Sequence, residues 1–144
     1  MTTHYARSFK DLRVYQKARE VSQAVFRLSK TFPREETYSL TDQFRRAARS
    51  IGAQIAEAWG KRRYEKHFVS KLTDADAEQM ETQHWVGEAL GCGYLSETDA
   101  TQLDTSLAEI GRMLNSMMEK SDTFCGPLDG VLREDSDDCF TTNH

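Results

Sequence analysis

The chain has 144 residues and a formal net charge of −4, with 38% hydrophobic and 29% charged residues. That is the size of one domain able to bury a core without disulfides or metal, and no apolar run approaches the roughly 18 residues of a membrane span. The first nine residues lack the apolar stretch of a secretion signal. The three scattered cysteines, Cys92, Cys125 and Cys139, form no disulfide framework, so reduced thiols and a cytoplasmic location are expected.

The elements follow in chain order. Residues 1–8 read as an N-terminal arm. Val14, Ala18, Val21, Val25, Leu28 and Phe32 recur in alternating steps of four and three, which lays one apolar stripe on a helix over Leu12–Thr31. Pro33 stops it, because the residue before a proline is pushed out of the α region. A second helix is predicted from Ser39, as cap, with Asp42 in its first turn. Leu40, Phe44, Ala47, Ile51, Ile55 and Trp59 mark its buried face, and small residues from Ala47 to Ala58 let a neighbour approach closely. A third helix is predicted over Glu65–Leu90, with the stripe Phe68, Leu72, Ala75, Thr82, Trp85 and Ala89 interrupted near Glu78 and Gln79. Gly91 and Gly93 end it. Ser96 and Asp99 open a fourth as a near capping box, with Leu103, Leu107, Ile110, Leu114 and Met117 inward until Lys120. The fold class predicted is all-α: an antiparallel up-down-up-down four-helix bundle over residues 9–120. Pro127, Gly126 and Gly130 with Glu134, Asp135, Asp137 and Asp138 make residues 121–144 read as an irregular or disordered acidic tail.

Charge divides along the chain. Up to Lys71 there are 16 Lys and Arg against 7 Asp and Glu, and from Leu72 onward 3 against 16. A basic half therefore precedes an acidic half. Opposite charges on two different patches suit a head-to-tail contact between copies, which closes as a ring when the rotation allows.

Several segments resemble a known family. Phe9-Lys10-Asp11-Leu12 and Tyr15-Gln16-Lys17-Ala18 are similar to the opening of the four-helix-bundle proteins encoded within 23S ribosomal RNA intervening sequences. Phe32-Pro33, Tyr38, Leu40-Thr41, Gln43, Arg45-Arg46-Ala47, Ser50-Ile51, Ile55-Ala56-Glu57-Ala58 and Gly60 resemble that family's most specific stretch. Glu81-Thr82-Gln83, Trp85, Ala89 and Gly93-Tyr94 match a later part. The chain departs from the pattern at Gly52-Ala53-Gln54, where the family often has Pro and Asn, and at Ala58-Trp59, where Gly and an aromatic are common. The resemblance implies a bundle that assembles with itself into a homopentameric ring. A related branch, the accessory proteins of diversity-generating retroelements, implies nucleic acid as an alternative partner.

Arg45, Arg46, Arg49, Lys61, Arg62, Arg63 and Lys66 form a basic set on the second helix and the junction after it. Residues 45 and 49 share a face, as do 62 and 66. Such a set suits phosphate. The competing reading, favoured by a pI near 5.6, is salt bridging to the acidic half, within the bundle or across subunits. Glu57 lies among small and apolar residues and is expected in a structural ion pair with Arg46 or Arg49. Glu81 and His84 have the spacing of di-iron bundle ligands, but no second such pair exists, so no metal or cofactor is expected. Trp59, Trp85, Tyr64 and Phe68 read as core or subunit interface before ligand pocket. No phosphate-binding loop, dinucleotide fingerprint or zinc-protease motif is present, and the sequence reads as a non-enzymatic scaffold or binding protein with no membrane partner.

Overall fold

A computed structural model describes residues 5–126 and 132–133. Helix forms where the heptad-spaced stripes run: α1 spans Arg13–Ser29, α2 Asp42–Gly60, α3 Glu65–Gly91 and α4 Glu97–Glu119. One further turn, α5, follows at Ser121–Phe124. The fold class is all-α, with one small addition. Strands β1 (Tyr5–Ala6) and β2 (Leu132–Arg133) pair antiparallel, Tyr5 opposite Arg133 and Ala6 opposite Leu132.

Local chemistry sets the boundaries. A 3-10 turn, Phe9–Asp11, leads into α1 through a reciprocal cap. Ser8 Oγ accepts from the Lys10 N–H, and the Asp11 carboxylate accepts from the N–H groups of Arg7 and Ser8. Ser39 is not the cap of α2. A π-helical turn over Thr37–Thr41 runs directly into that helix, so the Asp42 N–H already has the Thr37 carbonyl as partner. With the Asp42 N–H already satisfied, the Ser39 hydroxyl donates instead to Glu36 Oε1 at 2.7 Å. Ser96 does cap α4, its Oγ accepting from the Asp99 N–H at 3.1 Å. Gly93 takes the left-handed conformation (φ 79°) just beyond α3, a geometry that costs glycine little.

Helix α2 packs most extensively on α3. α3 also packs on α4, and α1 contacts α2 and, more sparingly, α4. The core between them contains Val14, Val25, Phe44, Ile51, Ile55, Phe68, Leu72, Leu107, Ile110 and Leu114, all fully buried. Ala48, Gly52 and Ala58 are buried on α2. A Cβ on Gly52 would sit 3.4 Å from the Tyr15 ring, so α1 and α2 meet closely there. On α3 the buried positions after Ala75 are Gln79, Thr82, Val86 and Ala89. Val86, not Trp85, lies on the core side. Steps of four, three and four from Ala75 lead to Val86 and a further three to Ala89, whereas Trp85 projects about 100° away from Val86 and is only partly buried.

The polar interruption at Gln79 is a hydrogen-bonded chain. Gln79 Nε2 donates to Asp76 Oδ1 at 3.0 Å, and Gln83 Nε2 donates to Gln79 Oε1 at 2.7 Å. Gly111 on α4 leaves room for it: a Cβ there would meet Gln79 Nε2 at 3.0 Å and Asp76 Oδ1 at 3.3 Å. Residues 121–126, grouped with the tail by their composition, are seated on the bundle. Phe124 is 1% exposed and stacks on Phe68 at 5.8 Å, and Ser121 donates to the Glu65 carboxylate. The acidic cluster from Glu134 to Asp138 and residues 1–4 lie outside the described residues. No helix among the described residues is long and apolar enough to cross a membrane.

Candidate binding surface on the first two helices

The seven basic residues do not form one strip. Arg45 and Arg49 lie on α2 facing α1, while Lys61, Arg62 and Arg63 lie in the connection to α3 and Lys66 lies in its first turn. Twelve residues separate Arg49 from Lys61, about 18 Å along a helix. Arg46 is exposed and projects about 100° away from Arg45.

Arg62 is engaged in structure. Its guanidinium lies 3.6 Å over the Trp59 ring, and Nε donates to the Trp59 carbonyl at 2.7 Å. One terminal nitrogen is buried with no hydrogen-bond partner among the described residues. Burial lowers its pKa, opposed by the neighbouring Cys125. Burial also pushes the Cys125 thiol up to about 11, with Glu65 adding to the rise. The Gly126 N–H donates to the Arg62 carbonyl at 3.3 Å, so residues 121–126 fold against this junction. Lys61, Arg63 and Lys66 are exposed beside it.

The other group is built around Phe26, an aromatic on α1 outside the apolar stripe and 37% exposed. Lys30 Nζ lies 4.9 Å from its ring centroid, Arg45 Cζ 4.7 Å and Arg49 Cζ 5.4 Å. Arg45 Nε also donates to Ser29 Oγ at 2.7 Å. Each cation gains about 0.5–1 kcal/mol from the ring at such a site, but the three repel one another, and an anion placed among them relieves that repulsion. Arg49 also lines an adjoining cleft of about 320 Å³ between α1 and α2, with Arg19, Phe9, Tyr15 and the small residues Ser22, Gly52, Ala53 and Ala56. The Phe9 ring meets Tyr15 edge-on at 4.9 Å and forms one end. The sequence carried a signal for this site that the basic residues alone did not: Phe26 and Arg19 both sit off the heptad stripe, on the side of α1 that shows small residues on α2.

Glu57 pairs elsewhere than expected. Lys71 Nζ lies 2.9 Å from Glu57 Oε1 and 3.9 Å from Asp74 Oδ2, which raises the lysine pKa, chiefly through its hydrogen bond to Glu57. Arg49 and Arg46 are eight and eleven residues before Glu57 on the same helix, about 12 and 16 Å along the axis, whereas side chains on one helix meet at spacings of three and four. Glu57 itself is exposed. Among the described residues the ion pairs join Lys17 to Glu109 and Lys71 to Glu57 and Asp74. None reaches Arg19, Lys30, Arg45, Arg46, Arg49, Lys61, Arg63 or Lys66.

Glu81 and His84 both engage Trp85. Glu81 Oε2 accepts from the indole N–H at 3.1 Å, and the His84 ring meets the indole edge-on at 4.7 Å. Both are exposed, so the pair points away from the core in which a bundle's metal would sit. Among the described residues no group of three or more His, Cys, Asp or Glu could hold a metal ion. Trp59 and Phe68 are buried in the core and Tyr64 is 59% exposed, so these aromatics are not gathered into one pocket.

The family model for the 23S rRNA-intervening sequence protein matches residues 10–116, which takes in all of α1, α2 and α3 and most of α4. The chain belongs to this family. No curated protein matches the chain. Among solved structures it is similar to a protein with unknown function from the S23 ribosomal protein family of Bacteroides thetaiotaomicron. The TM-score is 0.65 at 23% identity, over 74% of this chain and 98% of the other. That likeness concerns the fold.

Proposed function

We propose that this member of the family is a non-enzymatic, cytoplasmic scaffold that assembles with itself, the basic face of one copy meeting an acidic surface of the next. The observation that carries this reading is the unspent charge. Ion pairs among the described residues include those of Lys17 and Lys71, while Arg45, Arg49 and Lys30 converge on one ring with no ion pair to a described carboxylate. A contact between two different patches is heterologous and propagates or closes into a ring. The family resemblance favours closure with five copies.

The monomer proposed for this ring is an up-down-up-down antiparallel bundle. Two contacts support it. Tyr94, beyond α3, donates to Glu36 Oε2 at 2.8 Å in the connection from α1 to α2. Phe124, beyond α4, stacks on Phe68 near the start of α3. The end of α1 thus lies with the end of α3, and the end of α4 with the start of α3, so successive helices reverse direction.

A second reading is nucleic-acid binding, favoured specifically by Phe26. An exposed ring among three cations offers a base a stacking face and its phosphates a counter-charge. Light-scattering mass at low and high salt, for the native chain and for Arg45→Glu with Arg49→Glu, tests the first reading. A native oligomer that dissociates on charge reversal supports it. A native chain that stays monomeric at all salt concentrations refutes it.

A further inference from the structure

The cation face on α1 and α2 needs a counter-surface, and α3 carries one. From Lys71 the positions Asp74, Glu78, Glu81, Trp85 and Glu88 follow in alternating steps of three and four, so they share one side of the helix. Lys71 fixes which side that is. Its Nζ lies 3.3 Å from Gln54 Oε1 and 2.9 Å from Glu57 Oε1, both on α2, so the stripe runs along the α2 edge of α3. Asp74, Glu81 and Glu88 are exposed, and Glu78 and Trp85 are partly so. Glu78, Glu81 and Glu88 enter no ion pair among the described residues. Burial raises the Glu78 pKa, and Glu81 and Asp74 add to the rise. These carboxylates crowd one another as the cations around Phe26 do.

We propose that this α3 stripe of one copy seats on the α1–α2 face of a second copy, with Asp74, Glu78 and Glu81 against Lys30, Arg45 and Arg49, and with Trp85 over the adjoining cleft. This rests on the self-assembly reading and names the acidic surface that completes it. Three observations carry the assignment.

The first is charge complementarity. Lys30, Arg45 and Arg49 gather within 5.4 Å of one ring centroid, and three carboxylates gather within two turns of α3. Each group is self-repelling alone, and juxtaposing them relieves both repulsions. The second is register. Arg19 and Lys30 are eleven residues apart on α1, and Asp74 and Trp85 are eleven apart on α3, so both rows extend about 16 Å. With the acidic end of the stripe on the Phe26 cations, Trp85 reaches the cleft, whose wall of Gly52, Ala53 and Ala56 leaves room for a ring, and Glu88 reaches Arg19. Glu81 holds the indole N–H at 3.1 Å and so orients that ring, the kind of residue that anchors an interface. The third is placement. The helices pack in a circuit, α1 on α2, α2 on α3, α3 on α4 and α4 on α1. The cation face and the acidic stripe are therefore neighbouring sides of the bundle, roughly a right angle apart. Two different contacts at such an angle turn successive copies into a small closed ring, whereas contacts on opposite sides would extend a filament.

The test uses the full chain and a charge exchange. One variant carries Glu78→Lys and Glu81→Lys, a second Arg45→Glu and Arg49→Glu, and a third all four. A control, Asp104→Lys with Glu119→Lys on α4, changes net charge as much as the first. Mass is measured by sedimentation at near-physiological salt, with circular dichroism as the check on folding. Each of the first two variants is expected to lose association at least about tenfold, since exposed pairs become repulsive. The fourfold variant is expected to recover the native mass, and the control to keep it. A native chain that does not associate fails the self-assembly reading itself. A native oligomer that dissociates on reversal of Arg45 and Arg49 but keeps its mass with Glu78→Lys and Glu81→Lys overturns this proposal alone. So does a folded fourfold variant that stays monomeric, or a control that dissociates as readily as the first variant. The neutral pair Glu78→Gln with Glu81→Gln decides the matter if the lysine variant does not fold: weaker association is expected, and an unchanged association constant overturns the proposal.

Discussion

Truncating Phe124 to alanine tests whether the chain after α4 belongs to the bundle. Phe124 is 1% exposed and stacked on Phe68 at 5.8 Å with the rings 25° from parallel, and Phe68 is itself fully buried. A buried Phe→Ala change costs about 3–5 kcal/mol, the spread depending on how far the site can collapse. The turn carrying Phe124 is only four residues long and can relax, which favours the lower end, about 3 kcal/mol. For a domain of this size that lowers Tm by roughly 6–12 °C. The neighbouring Asp122 is exposed on the same turn, so Asp122→Ala is the control and is expected within about 0.5 kcal/mol of the native chain. Urea and thermal denaturation followed by circular dichroism measure both. A Phe124→Ala cost below about 1 kcal/mol, equal to that of the control, would refute the claim that this turn is part of the core.

Gly111→Ala is expected to destabilise by about 1 kcal/mol. The helix gains up to about 1 kcal/mol from losing a glycine, but the new methyl meets the Asp76–Gln79 hydrogen bond at 3.0–3.3 Å, and unsatisfying the buried Gln79 costs about 1–3 kcal/mol; a net gain in denaturation would show that the polar chain gives way freely. Lys71→Met is expected to lower stability only slightly, as half-exposed ion pairs contribute little, while Arg46→Ala leaves stability unchanged; a double-mutant cycle with Glu57 should show coupling to Lys71 and none to Arg46. Tyr94 has its pKa raised to about 12, first by its hydrogen bond to Glu36. A raised folded pKa means the contribution is whole below pH 10 and is lost as pH rises through about 12. Spectrophotometric titration should show one tyrosine ionising late, absent in Tyr94→Phe. Glu36 shifts the other way, lowered first by Ser39 and then by Tyr94, so its share is lost on acidification below the usual carboxylate range.

The four long helices were legible because their apolar heptads are nearly uninterrupted, and Ser96 and Gly93 mark boundaries by chemistry that acts within a few residues. Ser39 does not cap α2 because the π-helical turn from Thr37 already supplies the Asp42 N–H with the Thr37 carbonyl, and continuity across such a turn leaves no simple sequence mark. Between Thr82 and Ala89 both Trp85 and Val86 satisfy alternating steps of three and four, and the packing of α3 selects Val86 for the core. Glu57 finds its cation on the neighbouring helix, at Lys71, because Arg46 and Arg49 lie beyond the three- and four-residue spacings at which side chains of one helix meet. The candidate surface was half legible. Arg45 and Arg49 share a face by spacing, but their meeting with Phe26 and Lys30 depends on how α1 lies against α2. Arg62 has the same sequence character as Arg63, and only the fold of the junction places it over Trp59.

The account stands on one claim above the others, that cations with no ion pair among the described residues are met by another copy. Sedimentation-equilibrium mass of the native chain at near-physiological salt, with and without a mixed RNA and DNA pool, tests it most directly. The account predicts a defined mass of about five times 16.5 kDa, the closed-ring outcome of a heterologous contact, unchanged by nucleic acid. A mass of one chain that rises only when nucleic acid is added would contradict it and give the same arginines to phosphate.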